Sequence, residues 1–372
     1  MAITLMEGND AIAHGAVAAG CRFFAGYPIT PATTIYNAMI NLLPPIGGIC
    51  LQGEDEIASI GFCLGAAMAG MKVMTATSGP GLSLFSENIS FAIGSEIPIV
   101  IVDVQRLGPS TGSATRGADD DIQFLRWGNS GGLPAIVLAP VDIKDCYELT
   151  MHAFNLAETF RCPVFIASNK EIALTRETLD IDTLATPSTV SRKIALEDKP
   201  YLPFATDPTS LVPAFLPLGA KQFVRQTSST YGPDGYITID PDQIAANQNR
   251  LNHKLDNIKK KKIFCEIFHF PSATTLIITY GITARAVKAA LLEGDEDHRT
   301  SILILKTLWP VPETLIQTQA ATVKRIVVVE MNLGQYVHEI RRILPGKRID
   351  FYGQMNGELI RPNQIIEVIK HG

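Results

Sequence analysis

Three consecutive carboxylates ahead of a glycine-rich segment are the residues of this chain best suited to proton chemistry. Residues 52–70, QGEDEIASIGFCLGAAMAG, place Glu54, Asp55 and Glu56 directly before Ala58, Gly61, Gly65 and Ala69. At helical spacing those four small residues form a nearly smooth stripe that lets another backbone approach closely. Carboxylates at a helix start ordinarily cap it and complement its dipole. One lying against an interface or a flat ligand would instead be desolvated, its pKa raised, and so fitted to hold or pass a proton. Spacing alone leaves both readings open.

The elements that must position these residues follow from the apolar pattern. Residues 1–168 alternate between helix-like stretches at Asn9–Ala19, Pro31–Leu43, Glu56–Gly70, Gly81–Gly94 and Val141–Phe160 and strand-like runs at Phe23–Gly26, Gly48–Leu51, Lys72–Thr77, Pro98–Val104, Ala135–Leu138 and Pro163–Ala167. Continuous apolar runs such as IPIVIVDV and PVFIAS, set between helices, predict a parallel sheet covered on both faces. The expected class is α/β, a doubly wound sheet whose ligands bind beyond the carboxyl ends of its strands. Three loops fall at such ends: GYPITPATT, TSGPG and Gln105–Asp121.

The regularity lapses from Asn169 to Pro271. Pro200, Pro203, Pro208, Pro213, Pro217, Gly219, Gly232, Pro233 and Gly235 punctuate an extended connection. A polar helix, Pro241–Lys262, follows and ends in a basic run that suits a solvated C-terminus. A second βα series then runs through Thr275–Tyr280, Thr283–Leu292, Ser301–Leu305, Pro312–Thr318, Arg325–Glu330, Gly334–Leu344 and Arg348–Tyr352. The expected division is 1–190, 191–271 and 272–372.

Composition narrows the function. The 372 residues are 46% hydrophobic and 19% charged, with a formal net charge of −5, which argues against a nucleic-acid footprint. No apolar run reaches the ~18 residues of a membrane span. The start, MAITLMEGNDAIAHG, lacks the basic and apolar regions of a signal peptide, so a cytoplasmic protein is expected. Cys21, Cys50, Cys63, Cys146, Cys162 and Cys265 are scattered without a CxxC pair, and the seven histidines show no ligand spacing, so no metal or cluster site is expected in this chain. GxGxxG, GxxxxGK[ST] and GxSxG are absent.

GYPITPATT (26–34), EDEIASIGFCLGAAMAG (54–70), TATSGPGLSLFSENISFA (75–92), IPIVIVDVQRLGPSTG (97–112) and VVVEMNLGQ (327–335) together resemble the α subunit of 2-oxoacid:ferredoxin oxidoreductases, of the 2-oxoglutarate synthase type. The resemblance implies a pyrimidine-binding thiamine diphosphate domain followed by a smaller transketolase C-terminal-like α/β domain. It implies a β subunit that holds the diphosphate and Mg²⁺ through a GDG motif and carries a [4Fe-4S] cluster, with γ and δ subunits, ferredoxin and coenzyme A as further partners. This chain has no GDG triplet, and alone it should be inactive.

The same resemblance distinguishes the carboxylates. In the ExxxxGxxxG pattern of thiamine enzymes, Glu56, Gly61 and Gly65 fit and Glu54 does not. Glu56 is then the activator that shares a proton with the pyrimidine N1′. Thr30 and Arg106 match residues that bind the 2-oxoacid, the arginine fork being suited to a carboxylate; the plainer alternatives are an N-cap before Pro31 and a surface arginine. Tyr27, Pro28, Ser78 and Gly79 are expected beside the pyrimidine. Arg116 or Arg126 could meet the distal carboxylate of 2-oxoglutarate, the expected substrate, with 2-oxoisovalerate and pyruvate as alternatives. A non-redox thiamine enzyme and a catalytically silent scaffold are the competing classes.

Overall fold

The computed structural model describes residues 3–196, 200–206, 210–256, 258, 263–295 and 297–370. In chain order the strands are β1 (Ile3–Glu7), β2 (Phe23–Gly26), β3 (Ile49–Gln52), β4 (Val73–Thr77), β5 (Ile99–Gln105), β6 (Ile136–Leu138), β7 (Pro163–Asn169), β8 (Arg176–Asp180), β9 (Cys265–Phe268), β10 (Thr275–Thr279), β11 (Thr300–Leu305), β12 (Thr307–Trp309), β13 (Arg325–Glu330) and β14 (Arg348–Gly353). The helices up to the connection are α1 (Gly8–Ala18), α2 (Thr33–Leu42), α3 (Glu56–Met68), α4 (Gly79–Leu84), α5 (Ser86–Gly94), α6 (Ile122–Trp127), α7 (Ile143–Phe160), α8 (Lys170–Leu174) and α9 (Pro241–His253).

Strands β12-β6-β7-β5-β4-β2-β3 form one seven-stranded sheet. All neighbours are parallel except β12, which runs antiparallel to β6. The apolar runs are buried on both faces because their residues alternate between two layers. Val100, Val102 and Val104 of β5 join Ile12, Ile35, Met39 and Phe154 from α1, α2 and α7. Ile99 and Ile101 join Ile60, Leu64, Leu82 and Ile89 from α3, α4 and α5. Each such side chain contributes about 1.5–3 kcal/mol of burial. The chain therefore winds the sheet on both sides, as the sequence pattern predicts. Its order reverses between β2 and β4, and a crevice opens beyond the carboxyl ends of strands at such a reversal.

The second sheet has the order β14-β13-β10-β11-β9, parallel throughout except for β9. It too is covered on both faces, with Ile277, Ile302 and Val327 in one layer and Leu276, Leu303 and Val328 in the other. The sequence pattern does not show β9 or β12. Although β12 belongs to the second series, it edges the first sheet, and Lys306 beside it pairs with Asp145 of α7 at 2.8 Å. An antiparallel ribbon of β1 and β8 was equally unforeseen.

Two of the helix boundaries that differ from expectation bear on the crevice. The stretch 81–94 is not one helix: Pro80 lies in the first turn of α4, and the chain tightens at Phe85, whose N–H reaches both Gly81 and Leu82 carbonyls at 3.1 Å. Helix α2 begins at Thr33, and Thr30 is not its cap. The turn before it is fixed from outside, since Asn9 of α1 donates to the Pro31 carbonyl at 2.9 Å and Arg106 donates to the Thr30 carbonyl at 2.5 Å.

The connection is irregular up to α9, but it is bound to the first sheet by buried charge. Arg192 meets Glu158 of α7 at 2.7 Å and the carbonyls of Ala67 and Met71 at 2.9 and 2.8 Å. Arg250 and Lys254 meet Glu96 at 2.6 and 3.0 Å. Asp240 caps α9 ahead of Pro241. Pro208 and the basic run Lys259–Lys262 lie outside the described residues. No helix of the described residues is long and apolar enough to cross a membrane.

Candidate active site

The loops that carry the expected site residues follow β2, β3, β4 and β5, four strands grouped around the reversal of the sheet. Topology thus brings together Tyr27–Thr30, Glu56, Ser78–Gly79 and Arg106, which span 80 positions of the sequence. The three carboxylates ahead of α3 separate into distinct roles. Asp55 is the cap, accepting the Ala58 N–H at 2.7 Å. Glu54 is exposed, whereas Glu56, the first residue of the helix, is buried. The Glu56 carboxylate forms no hydrogen bond or ion pair among the described residues.

Gly81 of α4 lies directly against Glu56. A Cβ there would stand 2.7 Å from Glu56 Cγ and 2.8 Å from its Oε1, and would also strike the Thr77 hydroxyl. The glycine therefore admits the carboxylate into its position. Along α3, Gly61 and Gly65 face open space, and Ile57 and Phe62 on the same helix are about half exposed. The small-residue stripe is thus an uncovered surface of this chain.

Arg106 is buried, so it is no surface arginine. Its two terminal nitrogens donate to the carbonyls of Thr30 (2.5 Å) and Thr111 (2.9 Å), and its Nε has no partner. Thr30 itself is exposed and its hydroxyl makes no hydrogen bond among the described residues. Arg116 lies close by along the backbone, because its carbonyl accepts the Leu107 N–H at 2.9 Å. Its side chain is exposed and makes no polar contact among the described residues. Arg126 is committed elsewhere: it donates to the Gly132 and Leu133 carbonyls and stacks 3.8 Å over the Trp127 ring. Tyr27 is 40% exposed, Pro28 is half-buried and the Ser78 hydroxyl is buried without a partner.

The sequence reasoning missed an acidic group in the same place. Asp103 shares the face of β5 with Ile99 and Ile101, is fully buried, and has no partner for either oxygen. Burial, and then the negative charges of Asp121, Asp120 and Asp119, push its carboxyl well above the ordinary range. Burial likewise pushes Asp119 up to about 7 against the opposing hydrogen bond from Asn169, and raises Asp121 despite the nearby Arg106. Asp121 lies next to Gly79, where a Cβ would stand 3.0 Å from its Oδ2. The available signal was a carboxylate inside the apolar run IVIVDVQ, at a position that strand alternation turns towards α3 and α4.

These groups suit a pyrimidine ring. Glu56 offers a carboxylate without a partner among the described residues, Gly81 clears the space beside it, and Ser78 offers a buried hydroxyl, likewise without a partner among them, at the next strand end. The fold and this crevice define a thiamine diphosphate domain of the pyrimidine-binding kind, joined to a second α/β domain. The cofactor, when bound, supplies a nucleophilic carbon and an electron sink for cleavage beside a carbonyl. A carboxylate placed like that of Glu56 is of the kind that can share a proton with a ring nitrogen, and Arg106 lies at the neighbouring strand end.

The chain belongs to the family described as "Pyruvate flavodoxin/ferredoxin oxidoreductase, thiamine diP-bdg", which matches residues 14–248, and "Pyruvate:ferredoxin oxidoreductase core domain II" matches residues 273–365. The 2-oxoglutarate synthase subunit KorA of Methanothermobacter marburgensis is 38% identical, over 98% of this chain and 97% of its own length. The ketoisovalerate oxidoreductase subunit VorB of Methanothermobacter thermautotrophicus is 31% identical, over 100% of this chain and 98% of its own. A solved 2-oxoglutarate:ferredoxin oxidoreductase from Magnetococcus marinus, with 2-oxoglutarate, coenzyme A and succinyl-CoA bound, superposes with a TM-score of 0.95 at 32% identity. That match covers 99% of this chain and 65% of the Magnetococcus chain. Among the described residues no group of three or more His, Cys, Asp or Glu could hold a metal ion.

Proposed function

We propose that this chain is the pyrimidine-binding α subunit of a 2-oxoglutarate:ferredoxin oxidoreductase, forming succinyl-CoA with release of carbon dioxide or running the reductive reverse. The observation that carries the substrate assignment is the full-length likeness to 2-oxoglutarate synthase subunits, at 38% identity against 31% for the ketoisovalerate relative. Glu56 holds the proton at N1′, and Tyr27, Pro28, Ser78 and Gly79 line the ring. Arg106 and Thr30 take the carboxylate next to the reacting carbonyl. Arg116, the cation of this loop whose side chain has no polar contact among the described residues, takes the distal carboxylate. Residues 1–190 form the cofactor domain, 191–271 the connection and 272–372 the transketolase C-terminal-like domain.

The uncovered α3 face, with Gly61 and Gly65 open beside buried Glu56, supports a cofactor shared with a β subunit. That subunit supplies the diphosphate site, Mg²⁺ and a [4Fe-4S] cluster, γ and δ subunits complete the complex, ferredoxin accepts the electrons, and the assembly is cytoplasmic. The test is to purify the chain with its native partners and follow anaerobic, coenzyme A-dependent reduction of a viologen dye. Highest kcat/KM with 2-oxoglutarate, falling selectively in Arg116→Ala, is the expected result. Preference for 2-oxoisovalerate would overturn the substrate, and no turnover with any 2-oxoacid in a cofactor-loaded complex would overturn the reaction.

A further inference from the structure

The segment Val327–Gln335 lies in the second sheet and the turn after it, yet its polar groups reach back to the first domain. Asn332 is fully buried. Its Oδ1 accepts the N–H groups of Gly334 (2.8 Å) and Gln335 (3.0 Å), which shapes a turn that needs glycine at φ +97°. Its Nδ2 donates to the Tyr280 hydroxyl (2.8 Å) and to the carbonyl of Asp119 (2.8 Å), while the Asp119 N–H donates to the Met331 carbonyl (2.9 Å). Gln335 accepts the Gln123 N–H at 2.8 Å through its side chain, and its own amide donates to the Asp120 carbonyl. Glu330 anchors the turn from below, accepting the Tyr280 hydroxyl (2.7 Å) and the N–H groups of Tyr336 and Val337 (both 2.8 Å).

The path from residues 119–121 to Arg106 is short. Asp120 Oδ2 accepts the Gly108 N–H at 2.7 Å, and the Asp121 N–H donates to Gln105 Oε1 at 3.1 Å. Both flanks of Arg106 are thereby tied to the stretch that Asn332 and Gln335 hold. Behind the loop, a Cβ at Gly357 of the second domain would stand 2.8 Å from Arg116 Cβ, so that domain also abuts the second arginine. The bonds that Asn332 and Gln335 donate to the loop end on its backbone carbonyls, at Asp119 and Asp120, so they fix its path and not merely the spacing of two sheets.

We infer that Asn332 and Gln335 are positioning residues for substrate binding: through the Asp119–Asp121 backbone they set where Arg106 and Arg116 present their guanidinium groups. The inference rests on the reading of Arg106 as a carboxylate-binding residue. It assigns to the second domain a part in recognising the 2-oxoacid, although none of its side chains need touch the substrate. Binding that is equal in ground and transition states shows in KM and leaves kcat alone.

The experiment uses the complex purified with its partner subunits. Asn332→Asp keeps the oxygen that shapes the turn and replaces the donor to Asp119. The expected result is a 2-oxoacid KM raised about tenfold with kcat within about twofold and the coenzyme A KM unchanged. Gln335→Met, at a half-buried position where folding is less at risk, should raise the same KM about threefold. Tyr280→Phe is the control, because it weakens the second domain and leaves the Asn332–Asp119 bond in place; its thermal midpoint should fall with KM unchanged. An unchanged KM in both Asn332→Asp and Gln335→Met, or an equal rise in Tyr280→Phe, overturns the inference. Arg106→Ala separates the two levels: if its KM does not rise, the clamp reading fails, and if it alone rises, only the positioning fails.

Discussion

Two buried clusters of charge in this chain follow opposite rules. Around the connection, Glu96 is fully buried and both carboxylate oxygens are answered, by Arg250 and by Lys254, while its backbone carbonyl receives the Arg161 Nε at 3.1 Å. Around the crevice, the Glu56 carboxylate, both oxygens of Asp103, Arg106 Nε and Ser78 Oγ have no partner among the described residues. The electrostatics diverge accordingly. Burial alone would raise Glu96, but Lys254 and Arg250 outweigh it and hold the carboxyl below its ordinary range. At Asp103, burial and neighbouring carboxylates act in the same direction. A saturated cluster stabilises one conformation, whereas an unsaturated one keeps its desolvation cost until a proton or a ligand group relieves it. Buried charge by itself does not mark a site; unanswered buried charge does.

The sharpest way to break this contrast is to remove the unanswered carboxylate. Glu56→Gln should lower kcat by about 10³-fold, within the range for loss of a positioned acid–base group. It should leave the thermal midpoint unchanged, since the Glu56 side chain makes no hydrogen bond or ion pair among the described residues. Turnover and a melting curve on the same complex check both halves. Undiminished turnover would mean that the proton chemistry lies with Glu54 or Asp55.

The saturated cluster should respond the other way. Glu96→Gln strips Arg250 and Lys254 of their counter-charge, and breaking a buried pair from one side costs about 3–5 kcal/mol. Chemical denaturation should show that loss, with the connection becoming the first site of proteolysis, while turnover per folded complex stays near wild type. A change of less than about 1 kcal/mol would mean that Glu96 is not what binds the connection to the first domain.

How much of this was legible depends on whether the signal was local. The parallel sheet could be read from IPIVIVDV and PVFIAS because strand periodicity is a local property, whereas the preference for Glu56 over Glu54 came from the family resemblance and not from spacing alone. Glu96, Arg161, Arg250 and Lys254 meet across up to 158 positions, and no local pattern announces that. The same holds for β12, a three-residue strand recruited by the edge of a sheet formed more than a hundred residues earlier. The plainer alternative for Thr30, a cap before Pro31, fits the local Thr-Pro rule but not the structure, where Asn9 and Arg106 fix that turn from distant elements. Asp103 was legible and overlooked: alternation along IVIVDVQ places it on the buried face with Ile99 and Ile101.

The smallest effect tests the acidic part of the crevice through pH. In the folded chain Asp119 is pushed up to about 7 and Asp103 and Asp121 are also raised, each chiefly by burial, whereas in the unfolded chain aspartates titrate near 3.8. Between those values the folded state binds more protons than the unfolded state, so stability must fall as pH rises from about 4 to about 7. The groups facing these acids are Asp120, Glu330, Asn169 and Arg106, of which only the last two favour ionisation. Asp103→Asn keeps the shape, removes one negative charge and offers its neighbours a donor. Its thermal midpoint should match wild type near pH 5 and exceed it by a few degrees near pH 8, for about 1 kcal/mol of relief. Parallel pH profiles for the two proteins would mean that burial and the neighbouring aspartates do not raise Asp103, and that this part of the crevice is already as answered as the cluster around Glu96.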